Sequence, residues 1–144
     1  MRSQYVTIFY DLLADHSNRT GFQMPDRLAS YLVELLAQRI DNTDIIPDPS
    51  FAERYLKLHQ TKNVTHIREY ADSCLFFTSL LPEYGNRRGL SMDYYATLGI
   101  SSYYTAADLS MDDRYTQLGN WFYHLQKFLN TAIHPEKRLE LFKI

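Results

Sequence analysis

A chain of 144 residues is the usual length of one domain, and folding at that size buries roughly 68–70% of the surface an unfolded chain exposes. Hydrophobic residues make up 45% of it and aromatics 15%, enough for a core without staples. Its 15 basic and 17 acidic residues leave a net charge of −2, which argues against a nucleic-acid partner, and the single cysteine, Cys74, excludes an internal disulfide.

Leucine occurs 19 times and valine three times. Leucine keeps most of its rotamer freedom in a helix, whereas valine is stiff and favours strands, so the ratio points to helices. The expected fold is all-α, a single-domain bundle of about six helices over residues 1–144. The opening Met1-Arg2-Ser3-Gln4-Tyr5 lacks the apolar run of a secretion signal. The longest apolar stretch, around Cys74 to Leu81, is interrupted by Thr78 and Ser79 and is too short for a bilayer. A cytoplasmic protein with no membrane partner is expected.

In chain order, the first helix is expected over about Ser3–Ala14, with Tyr5, Ile8, Phe9, Leu12 and Leu13 on one stripe. Asp15-His16-Ser17-Asn18 reads as its stop and Thr20-Gly21 as a turn. Pro25 and Asp26 suit the first turn of a second helix whose apolar face is Leu28, Leu32, Leu35, Leu36 and Ile40. Asp41 to Pro49 reads as a loop because Pro47 and Pro49 forbid regular helix. Ser50 with Glu53 has the form of a capping box, opening a short third helix with Phe51, Tyr55 and Leu58 or His59 inward. Asn63 or Thr65 caps a fourth, carrying Val64, Ile67, Ala71, Cys74, Leu75, Thr78 and Leu81 and ending at Pro82.

The stretch Pro82–Gly89 is the most loop-like of the chain. Ser91 caps a fifth helix and Ser110 a sixth, each with aspartate in its first turn. The helices near 91–108 and 110–132 are expected to form an antiparallel hairpin. Asp93-x-Tyr95-x-x-Leu98-Gly99-x-x-x-Tyr103 recurs as Asp113-x-Tyr115-x-x-Leu118-Gly119-x-x-x-Tyr123, and the two glycines are equidistant from Leu109. Glycine inside a helix is roughly 1 kcal/mol worse than alanine, so close backbone approach is its natural reason, and the two helices should cross near Gly99 and Gly119. His134-Pro135 ends the sixth helix, and a short terminal helix with Leu139 and Phe142 follows.

Catalytic signatures are not visible. His66 and Glu69 share a helix face, but a di-metal bundle needs Glu-x-x-His pairs, and none occurs. A surface hydrogen bond is the plainer role for them, and a buried apolar role the plainer one for Cys74. No metal and no cofactor is expected. The candidate ligand-binding residues are Arg87, Arg88, Ser91, Tyr94 and Tyr95. Two guanidiniums beside a helix N-terminus would bind an anion, and exposed tyrosines supply rigid amphipathic surface. Set against this, Arg87 and Arg88 could pair with Glu83, Asp93 or other carboxylates and tie the loop down.

Tyr70-Ala-Asp-Ser-Cys-Leu-Phe-Phe, Leu81-Pro-Glu83, Arg87-Arg88 and Asp93-Tyr-Tyr-x-x-x-Gly99-x-x-x-Tyr103 together resemble a family of small bacterial helical proteins of unknown function. The resemblance runs from Tyr70 to Tyr104. In that family a Gly-Asp pair stands where Ala71-Asp72 stands here. It implies a bacterial protein and brings no activity. Two functions follow from the residues. One is a non-enzymatic protein-interaction or accessory module, as a homo-oligomer or an accessory subunit. The other is a binder of, or enzyme acting on, a small anionic ligand in a Tyr/Arg-lined pocket.

Overall fold

The computed structural model describes residues 2–39, 50–82, 89 and 91–133; side chains are described from residue 4 onward. The expected loop at Asp41–Pro49, the pair Arg87-Arg88 and the terminal helix with Leu139 and Phe142 lie outside the described residues. Those that are described form seven helices and no strand: α1 (Arg2–Thr20), α2 (Asp26–Arg39), α3 (Phe51–Thr61), α4 (Val64–Leu80), α5 (Met92–Ser110), α6 (Asp113–Asn120) and α7 (Phe122–Ile133). The fold is an all-α bundle, and buried side chains from all seven helices join one core cluster.

The centre of the bundle is α4. Its largest interface is with α5 and its next with α7, and it also meets α2 and α3. The sequence explains this position, because Tyr70 to Ser79 is buried on almost every side and leaves only Ser73 half-exposed. At its start Asn63 Oδ1 accepts the His66 N–H at 3.1 Å, satisfying an orphan donor of the first turn. At α3 the capping-box reading fails in part. Ser50 does stand at the N-cap, but with α-region backbone (φ −91°, ψ 0°) its side chain makes no cap hydrogen bond.

The first helix continues past its expected stop. His16 is 2% exposed, its ring tilted against that of Phe128 with a centroid distance of 4.8 Å. Its Nε2 lies 2.8 Å from Thr131 Oγ1. The Thr131 hydroxyl donates to the Lys127 carbonyl at 3.0 Å, so the imidazole is the donor to Thr131. Helix α1 ends instead at Gly21, which takes the left-handed conformation (φ +73°) and donates its N–H to the Ser17 carbonyl at 2.9 Å.

The expected hairpin has a different shape. Its second arm bends at Trp121, so α6 packs along α5 while α7 turns onto α4 and touches α5 only lightly. The bend follows Gly119-Asn120, both poor helix formers. Both glycines are buried at close approaches, but they do not face each other. A Cβ on Gly99 would stand 2.7 Å from Cys74 Cβ and 2.9 Å from the Phe122 ring; one on Gly119 would stand 2.6 Å from the Tyr104 ring. The pairs Gly99–Phe122 and Tyr104–Gly119 straddle Met111, the left-handed C-cap of α5 (φ 60°). The pivot is therefore Met111 and not Leu109. Among the described residues no helix is long and apolar enough to cross a membrane.

Candidate functional site

Asp72 is the most heavily bonded side chain in the core. It lies on α4 at 1% exposure, beside Ala71 and one turn from Arg68. Its Oδ1 accepts from the Tyr31 hydroxyl of α2 at 2.7 Å and from the Tyr103 hydroxyl of α5 at 2.6 Å. Oδ2 accepts from Arg68 Nη1 at 3.0 Å and lies 3.9 Å from Arg39 Nη2 of α2. Arg39 Nη2 also donates to the Glu69 carbonyl at 3.3 Å. One carboxylate thus ties three helices together with both oxygens engaged.

The electrostatics follow from that burial. Loss of water pushes the Asp72 carboxyl up from its ordinary value, and Arg39, the two phenol donors and Arg68 pull against it. The Tyr31 and Tyr103 phenols are pushed well above their ordinary range, first by burial and then by the Asp72 charge, so both remain donors at neutral pH.

Beside this node α2, α4 and α6 frame an open cleft of about 610 Å³, whose lining includes Arg27, Tyr31, Glu34, Arg68, Arg114 and Tyr115. Tyr115 stands edge-on to Tyr31 at 6.3 Å between centroids, and the Arg114 guanidinium lies 5.9 Å from the Tyr115 ring. Asp112, the N-cap of α6, accepts from Arg114 Nη2 at 2.8 Å and from Arg114 Nε at 3.2 Å. Arg114 in turn holds the Asp112 carboxyl below its ordinary value.

Of the residues expected from the sequence to bind a ligand, Ser91, Tyr94 and Tyr95 lie elsewhere. Ser91 is the N-cap of α5; its Oγ accepts the Tyr94 N–H at 3.2 Å and its carbonyl the Tyr95 N–H at 3.2 Å. Tyr94 is 51% exposed, while Tyr95 is buried among Phe51, Phe77 and Tyr94, with ring centroids 5.7 to 5.9 Å away. The four tyrosines of α5 divide: Tyr94 and Tyr104 face out, Tyr95 and Tyr103 face in, so the expected pair Tyr94 and Tyr95 does not share a surface. Ser91 borders a second open cleft of about 750 Å³ with Tyr123, His124, Lys127 and Asn130.

Sequence reasoning missed Asp72, Arg39 and the Arg27–Arg68–Arg114 cleft. The one local signal was the i, i+4 pair Arg68–Asp72 on the face of an otherwise apolar helix. Among the described residues, no group of three or more His, Cys, Asp or Glu side chains is placed to hold a metal ion. Fold and site define an all-α bundle with a charged node at its centre. No family model, curated protein or solved structure matches the chain.

Proposed function

We propose that this protein is a non-enzymatic interaction module that works by self-association, and that α1 is the helix through which two copies meet. The observation that carries the reading is exposed apolar surface on the flanks of α1, on either side of its buried Phe9–Leu13 stripe. Ile8 is 57% exposed and Tyr10 is 60% exposed, while Val6 and Leu12 are half-buried. A helix with apolar residues on several sides is ordinarily enclosed, yet among the described residues α1 packs on α2 and, less extensively, on α7. Helices α1 and α2 also frame a cleft of about 530 Å³ lined by Tyr10, Leu13, Met24 and Val33. Two-fold pairing brings the same patch from both copies together, so the Tyr10 ridge of one copy would meet the cleft of the other.

An anion site at the start of α5 has less support. Tyr95 is buried there, and Ser91 already takes up the Tyr94 and Tyr95 N–H groups.

The test is oligomeric mass, by native mass spectrometry and light scattering over a dilution series. The wild type should be a dimer. The double variant Ile8→Glu, Tyr10→Glu should be a monomer with unchanged helix content, because both side chains already face solvent. A wild type that stays monomeric at every concentration, or a double variant that stays dimeric, sinks the reading.

A further inference from the structure

We infer that the cleft between α2, α4 and α6 is a binding site for a small oxyanion, a ligand carrying phosphate or carboxylate groups. The inference is independent of self-association. On a chain whose net charge is −2, the lining of this cleft carries three guanidiniums, Arg27, Arg68 and Arg114, against one carboxylate, Glu34. The guanidiniums come from three different helices, so the fold, not local sequence, brings them together.

Two of the three are held in place from behind. Asp72 takes Nη1 of Arg68, while Nη2 makes only a looser ion pair with Glu69 Oε1 at 3.8 Å, beyond hydrogen-bond distance. Asp112 takes Nε and Nη2 of Arg114, leaving Nη1. Neither aspartate lines the cleft. Arg27 is exposed and forms no ion pair with a described residue. Tyr115 adds a phenol at the wall whose hydroxyl has no hydrogen-bond partner among the described residues. Planar guanidiniums already oriented by a carboxylate lose little freedom on meeting a second oxyanion, and their forked donors match phosphate and carboxylate geometry.

Calorimetric titration of the full chain at low ionic strength, with inorganic phosphate in one arm and citrate in the other, tests this and separates the two chemistries. Saturable one-to-one binding is expected for at least one of them, weakening as salt is added. Arg27→Ala and Arg114→Ala should each lower the affinity roughly tenfold, the usual effect of losing a charged hydrogen bond. Circular dichroism should show both variants folded, since Arg27 is exposed and the Arg114 side chain is 43% exposed. Replacing Arg87 and Arg88 together by alanine should leave binding unchanged. Absence of saturable binding in both arms overturns the site, as does binding that survives loss of Arg27 and Arg114. Binding abolished by the Arg87/Arg88 variant would move the anion to the start of α5 and overturn it equally.

Discussion

Among single residues, Asp72 raises the sharpest energetic question, because burying a carboxylate is unfavourable even with partners present. A carboxyl pushed up by burial still holds its proton in the folded chain at a pH where the unfolded chain has lost it. Its ionisation therefore weakens the fold as pH climbs out of the ordinary carboxylate range. Deleting it is worse than ionising it. Asp72→Ala would leave Arg39 and Arg68 facing each other without their shared anion, and the Tyr31 and Tyr103 hydroxyls without their acceptor. Urea unfolding should show a loss of about 3–5 kcal/mol, as for other broken buried pairs. A loss under about 1 kcal/mol, the scale of an exposed pair, would mean that the node is solvated. Little of this was legible in the sequence. Arg68 is local, but Tyr31 is 41 positions from Asp72 and Tyr103 is 31. Separations of that size are set by tertiary packing, which no residue spacing encodes.

At the level of helices, the two glycines of the repeated pattern make opposite predictions. Gly99 lies under Cys74 Cβ and the fully buried Phe122 ring, neither of which can withdraw. Gly99→Ala should destabilise by about 1–3 kcal/mol through overpacking, despite the better helix propensity of alanine. Gly119 lies under Tyr104, whose ring is 38% exposed and is held at its tip by Asn120 at 2.6 Å. That ring can swing outward, so Gly119→Ala should stay within about 1 kcal/mol of the wild type. Equal losses in thermal unfolding would contradict this difference. The pattern correctly marked both glycines as close approaches but named the wrong neighbours. It assumed a straight second arm pivoting at Leu109, whereas the chain turns at Met111 and bends again at Trp121. Helix starts at Asn63 and Ser91 were more legible, because those caps act through bonds only three residues long, whereas the cap expected at Ser110 is Asp112, and Ser110 instead ends α5. The end of α1 was misread because His16, polar and next to Asp15 and Ser17, looks like a terminator until Thr131 supplies its partner.

For the molecule as a whole, the buried phenols set an alkaline limit. Tyr31, Tyr70, Tyr103 and Tyr115 are all raised from their ordinary value of 10.0, chiefly by burial. The Cys74 thiol is raised for the same reason. Each such group keeps its proton in the folded chain when the unfolded chain has lost it. Their contribution is therefore complete below about pH 9–10 and falls as pH rises beyond it. Ultraviolet titration should show these four tyrosines ionising only together with loss of helix. Smooth ionisation of all 12 with the helices intact would show the core to be open. The seating of His16 against Thr131 has a consequence for how the chain is made. The two residues are 115 positions apart, so α1 leaves the ribosome early while its far support is among the last described parts to emerge. Helices α1 and α2 are neighbours in sequence and can pair at once, but that pair forms before Thr131 is made. Helix α1 is thus locked late, and until α7 arrives its side around His16 is open to whatever the cell offers.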